Sequence, residues 1–530
     1  MTTTIFVVAL IFYVTVGMFV ARKVKSSDDF FVMSEGASTL FIVGTLAATY
    51  LSAVTLLGVA GLAYAEGPLV LATTGSFGAW VGTLLAVVYV GRKLKALGCR
   101  TLPDFFERRF QSRLVTTTAT IIMIVGLLGY GVIQLIGAGL VVGELTNLPF
   151  PVIIALFVLA LLVFSALGGM YGVVVTDTLM FFSMLAVAVF VAPWIIGEVG
   201  FESIRNLSDS APGYWSLAGT KARPLSFTIS QFLVWVIFLT CTPALVSRVF
   251  PAKNDFVVLK AAGYGVFLAS FLQIPVFIAA SGMRVIDPTI EPADRVMIVA
   301  FLEHVPPILG GIGLAALMAA IMSTASTLFV LAGFGLSRDL YENLRKDPIS
   351  ERHRMIASRI GQLIIGIIVT GIAISRPAAI YWISIYAGAV FGVGWLPTVI
   401  AGLEWQRMNR YAAFASMISG VATFILLSEL TRLDIVNLPA ILDPLMVSLV
   451  IGIGSLILVA RFTEPSPAEA EYFRIVAASE PSQHTLEQTL SGPAPLETLK
   501  REYRNIVVTT LSLLALSFGL WAYFAANLAF

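Results

Sequence analysis

"ATYLSAVTLLGVAG", residues 48 to 61, is apolar enough for lipid, yet it carries hydroxyls at Thr49, Tyr50, Ser52 and Thr55 and glycines at 58 and 61. Small and hydroxyl-bearing residues at mid-membrane weaken a continuous helix and mark a place where it can break. A second stretch, "FLTCTPALVSR" (Phe238 to Arg248), places Pro243 where it donates no backbone hydrogen bond and disfavours helix at Thr242. In lipid, a carbonyl freed at a break must find a partner, and a cavity holding an ion supplies one. Taken singly, each stretch reads equally well as a proline kink or as close helix packing through small residues.

The rest of the chain is built to match. Of 530 residues, 58% are hydrophobic and 12% charged, which places the chain outside soluble classes and predicts an all-α integral membrane protein. Apolar stretches of the length that crosses a bilayer recur about fourteen times. The first, Ile5 to Val20, is followed rather than preceded by basic residues (Arg22, Lys23, Lys25), the reverse of a signal peptide, so it reads as a retained span. Placing the N-terminus outside puts most of the 33 Lys and Arg on the inner side, and an even number of spans then puts the C-terminus outside as well. This predicts a multi-pass protein of the plasma (inner) membrane. A net charge of +2 gives no reason to expect a nucleic-acid partner, and the three histidines, His304, His353 and His484, have no ligand spacing. No span carries an acid/base or nucleophile constellation, so no enzyme is expected.

Six segments follow. Residues 1–38 hold the first span and a cytoplasmic loop; 39–197 hold spans two to six; 226–402 hold spans seven to eleven. Residues 411–460 carry spans twelve and thirteen, 461–504 form a polar cytoplasmic excursion expected to be mobile, and 505–530 carry the last span. The two five-helix blocks start on opposite sides of the membrane. That is the arrangement of inverted-repeat transporters, in which the first helix of each block is broken and its freed backbone groups bind ions and substrate. The two stretches quoted above fall in those first helices.

A third stretch, "ALMAAIMSTAST" (residues 316 to 327), puts four hydroxyls, Ser323, Thr324, Ser326 and Thr327, into the ninth span. A helical Thr hydroxyl reaches toward the carbonyl four residues back, which for Thr324 belongs to Ala320. Ser323 and Thr324 can flank one groove, and the facing second span can add carbonyls near Ala48 and Leu51. Such neutral oxygens suit a small hard cation held loosely enough to leave. The alternative is that the hydroxyls only satisfy their own or a neighbouring helix.

Six further motifs decide between these readings: "LSRDLYE" (Leu336 to Glu342), "SSDDFFV" (Ser26 to Val32), "RTLPDFFERRF" (Arg100 to Phe110), "GGMYGVVVTD" (Gly168 to Asp177), "SRVFPAKN" (Ser247 to Asn254) and "WQRMNRYAA" (Trp405 to Ala413). Taken in their order along the chain, they resemble the sodium:solute symporter family over roughly residues 5 to 460. The resemblance implies a leucine-transporter-like fold of two inverted five-helix repeats plus additional helices, with sodium as coupling ion and no other cofactor. It implies ion ligands at the backbone oxygens of Ala48, Leu51 and Ala320 and the hydroxyls of Ser323 and Thr324. It also places Asp177 on the cytoplasmic sodium release path, although a carboxylate there is equally suited to capping the start of span six.

Substrate contacts are expected from Ser52, Thr55 and Gly58, from Phe238, Thr240 and Thr242, and from Tyr130 and Gln134, which lie four apart on one helix face. Interhelical hydrogen bonding is the alternative for the last two. The pocket is expected to be uncharged. "LSAVTLLG" (Leu51 to Gly58) is similar to the acetate and monocarboxylate branch, so the expected activity is sodium-coupled import of a small monocarboxylate such as acetate, with proline or another amino acid as the alternative. A symporter-like membrane sensor is the reading from another class, but 461–504 is too short for a signalling module. The expected partners are sodium, a small solute and the lipid bilayer; the oligomeric state is not legible.

Overall fold

The structure, a computed structural model, describes residues 1–343, 350–375, 380–479 and 496–529. Among these, eleven helices are long and apolar enough to cross a membrane, and a bent pair, Thr39–Tyr50 and Val54–Glu66, makes a twelfth span. Two shorter apolar helices, Phe150–Val163 and Leu225–Thr240, occupy the remaining positions expected from the sequence.

The ninth span, Pro307–Glu342, is the axis of the molecule. Its most apolar window is 100% buried inside protein, against 22% for the first span and 17% for the last, so those two face lipid and the ninth does not. A helix buried on all sides has no need of polar residues for solvation, and its hydroxyls must therefore be answered by protein or by cargo.

The fifth and sixth spans run on as one helix, Phe150–Ala186, turned at Gly169 (φ 52°, ψ −146°). A Cβ at Gly169 would meet the Phe30 carbonyl at 2.5 Å, so the turn needs glycine twice over, for its conformation and for this approach. Asp177 lies well inside the helix after that turn and is fully buried. It therefore caps no helix start, and the capping reading is corrected.

The segment 461–504 also differs from expectation. Its first part is a docked helix, Pro467–Ala478, capped by Ser466, whose hydroxyl accepts from Glu469 N at 3.3 Å while the Glu469 carboxylate accepts from Ser466 N at 2.7 Å. Buried Arg109 holds it from beneath, donating to the carbonyls of Glu469 (3.1 Å), Gly402 (2.9 Å) and Met408 (3.1 Å). The polar composition that suggested mobility is instead used for capping and for one arginine's donors. Residues 480–495 of that segment lie outside the described residues.

Two of the sequence motifs meet on this same side. Arg338 of the ninth span donates to Asp104 at 3.0 Å, Arg108 donates to it at 2.8 Å, and Thr101 Oγ1 donates to Asp339 at 3.2 and 3.3 Å. Burial pushes the Asp104 carboxyl upward, but Arg338 and Arg108 outweigh it and hold the group below the usual carboxylate range.

Candidate functional site

Both expected breaks are present. The second span leaves helical geometry at Leu51 (φ −81°, ψ 94°), and its two halves are bent by 51°. Ahead of the break, Ala48 is among the last four carbonyls of its half-helix, which have no continuing helix to bond them. Beyond it, the Ala53 amide donates to Gln134 Oε1 (3.3 Å) and the Val54 amide to Ser52 Oγ (3.2 Å), where an unbroken helix would have used the carbonyls of Thr49 and Tyr50. The seventh span stops at Thr240, passes Cys241 and Thr242 (φ −64°, ψ 119°) in non-helical geometry, and resumes at Pro243 for one turn. Proline at that first position leaves no amide to satisfy.

The hydroxyl cluster divides in two. Thr327 Oγ1 and Ser326 Oγ donate to the Ser323 carbonyl at 2.9 and 3.0 Å, so these two serve their own helix. Among the described residues, Ser323 Oγ and Thr324 Oγ1 are buried and have no partner in hydrogen-bond geometry. The expected bond from Thr324 to the Ala320 carbonyl is not formed, and Thr324 is one of the residues lining the cavity described below. An unanswered buried hydroxyl costs about 1–3 kcal/mol. Two side by side are a natural donor set for a cation.

Ser323 lies beside the Asp177 carboxylate, whose Oδ1 likewise lacks a partner in hydrogen-bond geometry. Asp177 Oδ2 accepts from Thr45 Oγ1 at 2.7 Å and pairs with Arg248 Nη2 at 2.8 Å, with both side chains fully buried. Arg248 also donates to Thr49 Oγ1 (2.9 Å) at the break and to Thr327 Oγ1 on the ninth span. One guanidinium thus joins the second, sixth and ninth spans just behind the hydroxyl pair. Sequence reasoning missed Arg248, although an arginine directly after an apolar broken helix is the kind of intramembrane charge that marks a functional position.

One cavity is lined by Thr49 and Tyr50 before the first break, Thr55 beyond it, Thr242 at the second break, Thr324, and Tyr130 of the fourth span. The two breaks and Thr324 therefore share a single space. Of the expected ion ligands only Thr324 lines this space; Ala48, Leu51, Ala320 and Ser323 are buried and are not among its lining residues.

Of the expected substrate residues, Thr55, Tyr130 and Thr242 line the space. Ser52 sits beside Tyr130 but uses its oxygen to cap the second half-helix. Gln134 Oε1 accepts from the Ala53 amide, while among the described residues its buried Nε2 has no hydrogen-bond partner. Gly58 is a packing glycine, where a Cβ would stand 3.0 Å from Ile380 and 3.2 Å from the Tyr381 amide. The Phe238 ring is covered by Tyr130 and Trp235, with centroids at 5.9 and 5.3 Å, and Thr240 Oγ1 bonds back to the Val236 carbonyl at 2.7 Å.

Three polar cavity groups went unread. Gln273 accepts from Trp80 Nε1 (3.1 Å) and reaches Tyr50 Oη (3.5 Å), and Tyr381 accepts from Trp235 Nε1 (3.2 Å) while donating to Gln231 Oε1 (3.0 Å). Ser76 offers its carbonyl to Tyr50 Oη at 3.5 Å. An amide in mid-span, such as Gln273, was the available signal. The cavity lining includes no charged side chain.

Comparison with known proteins agrees with this architecture. The sodium/pantothenate symporter of Escherichia coli (strain K12) is 25% identical over 413 residues, 76% of this chain and 85% of the relative. The osmoregulated proline transporter of Bacillus subtilis (strain 168) is 25% identical over 480 residues, 86% of this chain and 94% of the relative. A Na+-coupled sialic acid symporter, solved in a substrate-bound outward-open state, superposes with a TM-score of 0.73 at 18% identity, covering 88% of this chain and 98% of the other, so the fold is shared. Residues 30–420 match the model of one family, and the chain belongs to it: the sodium:solute symporter family.

Proposed function

We propose that this protein is a sodium-coupled symporter that imports a small carboxylate-bearing solute by alternating access. The observation that carries the reading is the pair of unanswered hydroxyls at Ser323 and Thr324, with Thr324 opening into the cavity where both helix breaks meet. Sodium is held by these hydroxyls and by the carbonyls of Ala48, Leu51 and Ala320. Asp177 receives the ion on its way to the cytoplasm.

The broken helices stand first in two inverted blocks, 39–197 and 226–402, which supports rocking of one set of helices against the other around a fixed site. The distribution of Lys and Arg supports both termini outside.

The relatives are named for pantothenate and proline, and this favours a solute of the proline or pantothenate kind over acetate. The ring-rich lining, with Tyr50, Tyr130, Trp235 and Tyr381, supports that choice because acetate would leave most of those faces uncovered. The solute's carboxylate is held by hydroxyls, by amides at the helix breaks and by the field of the bound sodium rather than by a cationic side chain.

The test is uptake of labelled proline, pantothenate and acetate into proteoliposomes with sodium imposed on the outside. The expected result is accumulation of proline or pantothenate only while the sodium gradient lasts. Uptake indifferent to sodium overturns the ion site, and sodium-driven uptake of acetate alone overturns the solute class.

A further inference from the structure

A second polar cleft lies away from the transport cavity, on the seam between the eighth span, Asp255–Ile286, and the last helix, Leu496–Ala529. Three contacts fix how these helices run. The Phe256 and Tyr503 rings lie 4.7 Å apart, Thr510 packs against Gly263, and Ser270 Oγ donates to Ser517 Oγ at 2.8 Å. Each contact falls seven residues beyond the one before on both helices. The helices are therefore parallel in constant register, and position 260 on one is level with position 507 on the other.

Their first turns form the membrane-surface end. Tyr503 Oη donates to Asp255 Oδ2 at 2.7 Å, Arg92 bonds the same carboxylate at 2.6 and 2.8 Å, and Lys253, Arg501 and Arg504 cluster nearby in the sequence. From there the cleft runs inward, lined by Lys260, Tyr264, Glu502, Asn505, Thr509 and Thr510. Neighbouring positions on the last helix are what lipid tails require: Val507, Val508 and Leu511 are exposed and apolar. Among the described residues, Lys260 and Glu502 have no ion-pair partner, and the side chains of Asn505, Thr509 and Thr510 have no hydrogen-bond partner. A polar strip on a lipid-facing seam is costly unless something polar fills it.

The order of the charges says what fills it. Glu502 is five residues shallower than the level of Lys260, about 7 Å at the helical rise. A cation set deeper than an anion, with hydroxyls and an amide between, complements a phospholipid head whose phosphate is next to its tails and whose ammonium lies farther out. A purely anionic head would meet Glu502 without a counter-charge. A quaternary ammonium would have no hydrogen to donate to it.

We propose that this cleft binds the head of a zwitterionic phospholipid carrying a primary ammonium, with phosphate on Lys260, ammonium on Glu502, and Asn505, Thr509 and Thr510 on the phosphate and ester oxygens. The site does not depend on the transport reading.

The test is native mass spectrometry of the full chain, purified in detergent and titrated with phosphatidylethanolamine, phosphatidylcholine or phosphatidylglycerol. The chain is expected to retain phosphatidylethanolamine about tenfold more tightly than either other lipid. Glu502→Gln is expected to abolish the preference and Lys260→Ala to weaken retention of all three lipids about tenfold, while Lys260→Arg keeps both retention and preference. Glu502→Gln, an isosteric change at an exposed position, carries the test alone should Lys260→Ala fail to fold. Equal retention of the three lipids, or a preference unchanged in Glu502→Gln, overturns the proposal. Displacement of the lipid by equimolar O-phosphoethanolamine also overturns it, by making a soluble phosphate ester the ligand.

Discussion

The two helix breaks occupy matching places in the molecule and solve the same problem in opposite ways. At the seventh span the chain looks after itself: Pro243 has no amide to satisfy, and Thr240 and Thr242 return their hydroxyls to the Val236 and Phe238 carbonyls at 2.7 and 2.8 Å. At the second span the chain needs help, because the Ala53 amide is answered only by Gln134 from another helix. The break that proline announces in the sequence is chemically closed. The break without a proline depends on a side chain from another helix, and Thr49, Tyr50 and Thr55 on either side of it line the cavity that Thr324 also lines.

The largest expected effect tests what holds the open break in place. Arg248→Ala strands a buried Asp177 carboxylate and is expected to cost about 3–5 kcal/mol, read as loss of folded protein in thermal unfolding. Arg248→Ala with Asp177→Asn is expected to recover part of that loss, and failure to recover any would show that Arg248 matters for its other contacts rather than for charge.

Next comes the split within the cluster. Thr324→Ala is expected to raise the sodium concentration for half-maximal uptake by about tenfold, the equivalent of ~1.4 kcal/mol. Ser326→Ala, whose hydroxyl serves only its own helix, is expected to leave that concentration within about twofold. Equal effects of the two substitutions would erase the distinction between them.

Smaller again is the contrast between the breaks themselves. Gln134→Leu leaves the Ala53 amide unanswered and is expected to cost about 1–3 kcal/mol in unfolding assays, whereas Thr240→Val is expected to cost less than about 1 kcal/mol. The smallest effect lies at the Asp104 cluster. Because the Asp104 pKa is lowered in the folded chain, its pairing contributes stability that is fully present above the ordinary aspartate pKa and is lost as pH falls through the lower folded-state value. Arg338→Gln is expected to flatten that part of the stability profile measured against pH.

The periodic and local features were legible in the sequence. The spans, both breaks and the hydroxyl cluster follow from apolar length, proline and hydroxyl placement, and each was found where expected. What the sequence hid depends on partners far along the chain. Gly58 looks like a residue making room for substrate, yet the room is taken by Ile380 and Tyr381, more than 300 positions away. Gln134 looks like a substrate contact, and its Oε1 proves to serve a backbone amide on the second span while its Nε2 has no partner among the described residues. The polar run after residue 461 looks unstructured until Arg109, buried beneath it, is seen to hold its first helix. Arg248 was overlooked because a charge in an apolar helix reads as a boundary until its carboxylate partner is known.

The Asp177–Arg248 pair has one more consequence. A membrane voltage does work only on net charge that shifts along the field, and this pair, taken as a unit, has none. If the helices it staples together move as one body, that part of the rearrangement is electrically silent. Charge-movement recordings on the protein should then register the entering cation and little from the scaffold around it.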